Sequence, residues 1–253
     1  MNDLKNAEPL QFSDINLGIV CPMASEEQTA VPFVNAVLEQ CRSRDFKSIT
    51  FFAILDRACK DRTLELLKEH ARHEPRLRVI WSPENKGVVD AYVRGYLEAL
   101  SANCDWILEI DAGFSHQPED IPQFFDKMRE GYDCIFGSRF CPGGNISDSS
   151  FKRRVISRGG TMLANLLLGT KLKDMTSGFE MFSRRALTAV LDRGIKSRGP
   201  FFQTEIKTYC RNLRITEVPI QYRAASHDVN NKALKDSFDN LLRLYRLRRQ
   251  GQL

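Results

Sequence analysis

The chain has 253 residues, of which 42% are hydrophobic and 27% are charged, as in an ordinary soluble globular protein. This length can bury one large core, so we expect a single α/β domain. A formal net charge of +5 is too small to indicate nucleic-acid binding. No apolar run approaches the ~20 residues that span a bilayer, and the N-terminus lacks the pattern of an export signal.

Seven cysteines are scattered along the chain, and none of them forms a C-x-x-C pair. An odd number without pairing is typical of reduced thiols in a cytoplasmic protein, not of a disulfide framework or a zinc site.

Short apolar runs alternate with helical patterns from residue 15 onward. Strands are predicted at 15–21, 48–55, 78–81, 105–110 and 133–136. Helices are predicted between them at 31–41, 61–73, 87–100 and 121–129. This order indicates a mostly parallel sheet with right-handed crossovers, flanked by helices.

The second half of the chain is more irregular. A loop rich in Gly, Ser and Asp at 140–150 has a length that is usually functional in a compact domain. Helices are predicted at 151–168, 183–191, 202–212 and 234–249, and strands at 179–182 and 215–220. We expect an N-terminal extension (1–14), the α/β domain (15–232) and a basic amphipathic helix packed on or near it (233–253).

The segment 106–118 is the most informative one, because its apolar run ends in Asp111 and a loop of small and polar residues follows. A carboxylate directly after a buried strand is costly without a partner, and α/β sheets hold their ligands at these strand ends. The chain lacks a G-x-G-x-x-G pattern after its first strand and a Walker sequence. Phosphates must therefore be held by a metal, basic side chains or helix N-termini.

Short segments along most of the chain carry a family resemblance. They are 22–26 (PMASE), 55–63 (LDRACKDRT), 85–87 (NKG), 111–118 (DAGFSHQP), 137–139 (GSR), 174–179 (DMTSGF), 203–205 (QTE) and 217–220 (EVPI). In this order and spacing they resemble the family 2 glycosyltransferases, especially the dolichol- and polyprenol-phosphate mannosyl- or glycosyltransferases. The resemblance implies a single GT-A domain, which is a Rossmann-like domain that binds nucleotide sugars.

The resemblance also implies a divalent cation, Mg²⁺ or Mn²⁺, with Asp111 and Ser115 as ligands. Gly113 stands where the family carries the second aspartate of its D-x-D motif. One oxygen ligand is then missing, so we predict weak metal binding without nucleotide sugar and tighter Mn²⁺ binding by a Gly113→Asp variant.

The implied donor is a nucleotide sugar, with GDP-mannose favoured and a UDP-sugar as the alternative. The implied donor contacts are Pro22, Glu26, Asp56, Asn85, Gly87, Asp111, Ser177 and Gly178. An aspartate such as Asp56 can accept hydrogen bonds from a nucleobase, although a helix cap or turn is the alternative. Glu26 would bind the nucleoside side of the donor, or else favour the start of a helix.

The implied reaction transfers a hexose, with inversion, to a polyprenyl or dolichyl phosphate. The implied catalytic residues are Asp111, Arg139, Gln203 and Glu205. The implied contacts to the acceptor phosphate are Arg139, Arg223 and Lys232. The basic residues at 152–154 would lie near them or form a solvated face.

Two alternatives stay open. One is a family 2 transferase that acts on a glycan hydroxyl, with Glu205 as general base. The other is a non-catalytic subunit that binds nucleotide sugars. The implied partners are the nucleotide sugar, the lipid at a membrane surface and a membrane-anchored partner subunit, and no nucleic acid is expected. The arginine-rich terminal helix indicates a helix packed on the domain with a basic solvated face, and attraction to anionic lipid is the alternative. We expect a cytoplasmic protein, and a lipid acceptor would place it on the cytoplasmic face of a membrane.

Overall fold

A computed structural model describes residues 10–147, 151–223 and 231–253, without the side chains of 151–156 and 231. The strands are β1 (Asn16–Met23), β2 (Ser48–Leu55), β3 (Leu77–Trp81), β4 (Trp106–Glu109), β5 (Cys134–Ser138), β6 (Asn145–Ser147), β7 (Glu180–Ser183), β8 (Ile215–Pro219) and β9 (Gln221–Arg223). The helices are α1 (Ala30–Cys41), α2 (Thr63–His70), α3 (Val88–Ser101), α4 (Ile121–Arg129), α5 (Phe151–Leu168), α6 (Arg184–Arg193), α7 (Phe202–Tyr209) and α8 (Asn231–Arg249). Short 3₁₀ turns lie at Phe12–Asp14 and Pro118–Asp120.

The described residues form a seven-stranded sheet in the order β3-β2-β1-β4-β7-β5-β8. Only β7 runs antiparallel to its neighbours in this sheet. The chain moves outward from β1 through β2 to β3, and then returns to the other side of β1 as β4. This reversal makes a topological switch point between β1 and β4, where the carboxyl ends of the strands leave a crevice for a ligand.

The sheet is covered on both faces, which explains the apolar runs of its central strands. Along β2, Phe51 and Ala53 pack with α1, α2 and α4, whereas Phe52 and Ile54 pack with α3 and the later helices. Side chains of a strand alternate between faces, so a strand between two helical layers must be apolar at nearly every position.

The predicted mostly parallel α/β architecture is confirmed, with element ends shifted by a few residues. Three features differ from the prediction. The 140–150 loop contains β6, which pairs in parallel with β9. This strand was missed because its three residues are too few to show an alternating pattern in the sequence. The helix predicted to reach 73 ends at His70, shortly before Pro75, which disfavours helix in the preceding residue. The helix predicted to reach 212 ends at Tyr209.

The terminal helix α8 packs against α5 and buries Leu244. Arg248 Nη1 donates to the carbonyl oxygens of Leu166 (3.1 Å) and Leu167 (2.8 Å), which caps the last turn of α5. The boundaries drawn at 14 and 232 stay predictions. Among the described residues, no helix combines the length and apolarity that a bilayer span requires. All seven cysteines are free thiols, as predicted.

Candidate functional site

The crevice at the switch point centres on Asp111, two residues beyond β4. Its side chain is 44% exposed, while the hydroxyl of buried Tyr92 on α3 donates to Oδ1. One carboxylate oxygen is thus fixed by the protein, and the group still reaches solvent. This combination suits a carboxylate that meets a ligand.

A buried neutral histidine shapes the loop after Asp111. His116 Nδ1 accepts a hydrogen bond from the backbone N–H of Asp111 at 3.3 Å, and its ring lies 5.1 Å from the rings of both Phe179 and Tyr222. Burial lowers the pKa of His116 to about 4, in spite of the Asp111 carboxylate nearby. His116 is therefore uncharged near neutral pH, and its 3.7 Å approach to Asp111 Oδ2 is not an ion pair.

Gly113 leaves room that another side chain fills. Its φ is +74°, in the left-handed region that favours glycine. A Cβ atom added at Gly113 would lie 2.9 Å from Oε2 and 3.2 Å from Oε1 of Glu26. The Glu26 carboxylate therefore lies beside the position where the family's second aspartate would begin.

The loops after β1 and β2 are tied together by the residues that the motif at 55–63 retains. Thr63 Oγ1 accepts from the backbone N–H of Glu26 at 2.7 Å and donates to Asp61 at 2.5 Å. Asp61 also accepts from the N–H of Glu27 at 3.0 Å, and hydrogen bonding, with Thr63 the largest contributor, lowers the pKa of Asp61. Ser25 Oγ accepts from the N–H of Lys60 at 3.1 Å. These contacts fix the backbone on which Glu26 is carried.

The remaining predicted donor contacts on this half of the sheet lie at the same edge. Pro22 is in β1, and Asp56 directly follows β2, is 8% exposed and accepts from the N–H of Ala58 at 2.7 Å. Asn85 and Gly87 lie between β3 and α3. Among the described residues, nothing hydrogen-bonds the buried Nδ2 of Asn85. Their contacts with a donor stay predictions.

Gln203 approaches Asp111 from the other side of the crevice. Its Nε2 donates to Glu109 Oε1 at 2.6 Å, and the hydroxyl of Tyr96 donates to the other oxygen of Glu109. A Cβ atom added at Gly178 would lie 2.8 Å from Gln203 Nε2 and 3.8 Å from Asp111 Oδ2. The structure thus brings the predicted site residues Asp111, Gly178 and Gln203 together. Only a glycine fits at position 178, between Asp111 and Gln203.

A buried cluster of charges, which the sequence did not indicate, lies behind Gln203. Glu109 and Glu180 face each other across β4 and β7. Lys207 Nζ lies 2.8 Å from Glu180 Oε1 and donates to the carbonyl oxygen of Ser177 at 2.7 Å. Burial raises the pKa of Glu180 to about 7, against the pull of Lys207. Burial and then repulsion from Glu180 raise the pKa of Glu109 well above its ordinary range.

One ammonium group therefore lies close to one of two buried carboxyl groups, and burial together with the charge of Glu180 favours the protonated form of Glu109. The sequence offered one weak signal, which is that Glu180 interrupts an apolar strand pattern. Lys207 gave none, because only the structure shows that nearly all residues of its helix are buried. In addition, no partner within the described residues hydrogen-bonds the buried hydroxyl of Ser177, a predicted donor contact.

Arg139 is held inside the protein. Its Nε and Nη2 donate to Asp174 at 2.7 and 2.8 Å, and Nη2 also donates to Thr176 Oγ1 at 2.6 Å. Burial disfavours the Asp174 carboxylate, but Arg139 outweighs it and holds the pKa of Asp174 well below its ordinary range. The Arg139 side chain is 9% exposed. A role toward a phosphate stays a prediction, and this ion pair leaves Arg139 few free donors for it.

The contacts of Glu205 are those of a structural residue, and the catalytic role that the motif implied for it stays a prediction. Residues two apart on a helix point about 200° apart, so Glu205 faces away from the side of Gln203. Its buried carboxylate accepts from the N–H of Ser197 at 2.8 Å and the hydroxyl of Tyr209 at 2.7 Å, and it also pairs with Arg243 of α8. Glu205 therefore anchors α8 and a loop, and these contacts occupy the carboxylate that a general base would need.

The structure describes the surroundings of the predicted acceptor contacts only in part. The N–H of Arg223 donates to the carbonyl oxygen of Ser115 at 2.8 Å, so β9 lies beside the Asp111 loop. Lys232 is exposed at the start of α8, but residues 224–230 lie outside the described residues, as do the side chains of the basic triplet 152–154. Roles for these residues stay predictions.

Within the described ranges, no three His, Cys, Asp or Glu side chains group as they would around a metal ion. A cation at this crevice would need oxygen atoms from a ligand as well as from Asp111 and its neighbours.

The sequence profile of Glycosyl transferase family 2 matches residues 19–191. An undecaprenyl-phosphate mannosyltransferase from Micrococcus luteus is 30% identical over 77% of this chain and 82% of its own. A polyprenol monophosphomannose synthase from Mycolicibacterium smegmatis is 27% identical over 81% of this chain and 76% of its own.

Among solved structures, glucosyl-3-phosphoglycerate synthase from Mycobacterium tuberculosis in complex with UDP has a TM-score of 0.64 at 16% identity. That match covers 91% of this chain and 80% of the synthase, and at such low identity it supports the fold alone. The family profile spans more than half of the sequence. The chain therefore belongs to glycosyl transferase family 2 and is a glycosyltransferase with the GT-A fold, as its motifs predicted.

Proposed function

We propose that this glycosyltransferase moves a hexose from a nucleotide sugar to a polyprenyl phosphate, with inversion at the anomeric carbon. The observation that carries the proposal is the half-exposed carboxylate of Asp111 at the switch point of the sheet. The names of the two relatives support a polyprenyl-phosphate acceptor and mannose as the sugar. GDP-mannose is the favoured donor, and a UDP-sugar is the alternative.

We further propose that Asp111 and Ser115 help to hold a divalent cation, Mg²⁺ or Mn²⁺. The space at Gly113, which is lined by the carboxylate of Glu26, supports this fit, since hard divalent cations prefer oxygen ligands. When bound, the cation would neutralise negative charge on the departing nucleoside diphosphate.

The chain's own residues would act mainly by positioning. A phosphate acceptor is already ionised near neutral pH, so the reaction needs no general base, in keeping with the structural role of Glu205. Tyr92 and His116 fix Asp111, and Glu109 fixes Gln203 next to it. A prearranged site of this kind lowers the barrier by orientation and by electrostatic stabilisation.

A transfer assay tests the proposal. Purified protein, Mn²⁺ and radiolabelled GDP-mannose should convert a detergent-dispersed polyprenyl phosphate into a labelled lipid that organic solvent extracts. The uncharged polyprenol should give no product, and UDP-glucose should give less. Transfer to a glycan hydroxyl instead would contradict the acceptor class. Binding of nucleotide sugar without any transfer would favour the alternative of a binding subunit.

We also propose that α5 and α8 present a membrane-facing apolar surface. Its exposed members are Met162 (74%), Leu163 (48%), Leu166 (75%), Leu234 (53%), Phe238 (66%) and Leu242 (36%). On α8 the apolar positions recur at helical spacing, and the exposed cations Lys235, Arg246 and Arg249 accompany them. An apolar face accompanied by basic residues is typical of helices that lie on anionic membranes, and a lipid acceptor would be met at such a membrane, on its cytoplasmic side.

Changing Phe238 to serine should weaken binding to vesicles that contain phosphatidylglycerol by about tenfold or more. The reason is that burial of one large apolar side chain contributes about 1.5–3 kcal/mol. Sedimentation with vesicles measures the effect. Leu97→Ser is the matched control, since Leu97 is 52% exposed on α3, outside the apolar surface. Equal vesicle binding by the two variants would contradict the proposal and favour a membrane-anchored partner subunit as the ligand of this surface.

A further inference from the structure

We propose that Glu26 supplies the second carboxylate of the cation site, in place of the aspartate that the family carries at the position of Gly113. The assignment depends on the proposed function for the cation itself. It differs from the nucleoside contact that the motif implied for Glu26.

The distances place the two groups in the same space. The Glu26 carboxylate has its carbon 3.4 Å, and its oxygens 2.9 and 3.2 Å, from the Cβ position of residue 113. An aspartate carries its carboxylate directly on Cβ, so a carboxylate on residue 113 and that of Glu26 would compete for one location. Gly113 therefore removes one carboxylate from the loop and admits another from the loop after β1.

Glu26 and Asp111 also converge on a common neighbour. Burial raises the pKa of the Cys21 thiol well above its ordinary value, and the negative charges of Asp111 and Glu26 raise it further. Both carboxylates therefore lie near Cys21, in the carboxyl-terminal half of β1. A pair of carboxylates around one crevice, completed by diphosphate oxygens, matches the oxygen-rich surroundings that Mg²⁺ and Mn²⁺ prefer.

Glu26 is held in place by contacts that leave one oxygen available. Its backbone N–H donates to Thr63 Oγ1 at 2.7 Å, and its carbonyl oxygen accepts from the N–H of Ala30 at 2.7 Å. Thr29 Oγ1 donates to Oε2 at 2.5 Å. Within the described part of the chain, no hydrogen bond reaches Oε1. This preorganised, half-buried carboxylate is suited to a cation.

The geometry also corrects the expected gain in a Gly113→Asp variant. An aspartate there would have to adopt a left-handed backbone and would crowd Glu26, and two unscreened carboxylates repel each other. Tighter Mn²⁺ binding is therefore expected from Gly113→Asp only when Glu26 has been removed.

A double-mutant cycle tests the assignment. Mn²⁺ affinity is measured by electron paramagnetic resonance on the full chain, with saturating GDP and, separately, UDP. Glu26→Ala should weaken Mn²⁺ binding by at least about tenfold, since even loss of a group outside the ligand shell has that effect. Gly113→Asp alone should bind Mn²⁺ no more tightly than wild type. The double variant should recover most of the loss.

Glu27→Ala is the matched control, because Glu27 is the next residue and its exposed carboxylate lies in the same loop; it should leave Mn²⁺ affinity unchanged. Glu26→Gln keeps the size of the side chain and guards against a folding defect, and it should weaken Mn²⁺ binding as Glu26→Ala does.

Wild-type Mn²⁺ affinity in Glu26→Ala would overturn the assignment. The assignment would also be overturned if Glu26→Ala lost the same amount of GDP or UDP affinity in the presence and in the absence of EDTA. In that case Glu26 would contact the nucleoside and not the cation. These measurements of Mn²⁺ affinity involve neither an acceptor nor sugar transfer. Failure of the lipid-transfer assay would therefore overturn the proposed acceptor but would not affect the assignment of Glu26.

Discussion

An Asp111→Asn variant should lose about two to three orders of magnitude in kcat for sugar transfer, the typical cost of removing one group directed at developing charge. Asparagine keeps the size of the side chain and can still accept the hydrogen bond from Tyr92, so the fold should persist. The lost quantity is the negative charge at the switch point. Initial rates of labelled lipid formation, together with a thermal unfolding curve, measure the two effects separately.

Asp126→Asn is a suitable control for this variant. Asp126 also carries a half-exposed carboxylate, 60% exposed and paired with Arg44 on the surface, but it lies on α4, outside the crevice. Its rate should equal that of wild type. If Asp111→Asn retained more than about a tenth of the wild-type rate, the charge of Asp111 would not be the main contribution to catalysis.

The position of Asp111 was predictable because the ends of strands follow from apolar runs and the polar residues that terminate them. A central parallel strand must be apolar on both faces, so the polar loop that follows its apolar run marks the edge of the sheet. Glu109 departs from this pattern, because it is a buried carboxyl group within β4 itself. The family resemblance, and not the strand pattern, implied that residues after β1, β2 and β4 share one donor site. It could not predict the reach of one side chain, and the approach of Glu26 to Gly113 emerges only from the folded loops.

Glu205 illustrates a different limit. The segment 203–205 matched the family motif, and both polar residues were given catalytic roles. Once the segment is a helix, residues two positions apart cannot face the same crevice. The helical phase was therefore available from the sequence, but the choice between Gln203 and Glu205 required the long-range bond from Gln203 to Glu109, 94 positions away.

The buried charges could not be predicted, because they depend on an unusual strand. The antiparallel β7 lies between β4 and β5 and sets Glu180 opposite Glu109. Alternating strand and helix patterns indicate a parallel sheet, and nothing in the four residues of β7 shows its direction. Lys207 comes from a helix much later in the chain.

Lys207→Met should destabilise the protein by about 3–5 kcal/mol, the usual cost of removing one partner from a buried ion pair. Both side chains of the pair with Glu180 are fully buried, so no water can replace the ammonium group. Urea unfolding, followed by circular dichroism, measures the free energy of unfolding. The companion variant Lys207→Met/Glu180→Met removes the whole pair and should recover most of this loss.

The pH dependence separates a charge effect from a packing effect. In the wild-type fold the pKa of Glu180 is raised from an ordinary 4.5 to about 7, so the folded state holds this proton more tightly than the unfolded chain. That contribution to stability is complete below pH 4.5 and declines as the pH rises to about 7. Without Lys207, which lowers this pKa, the decline should continue to higher pH. The loss in the free energy of unfolding caused by Lys207→Met should therefore be smaller at pH 5 than at pH 8. An equal loss at both pH values would mean that lost packing, and not the unpaired carboxylate, destabilises the variant.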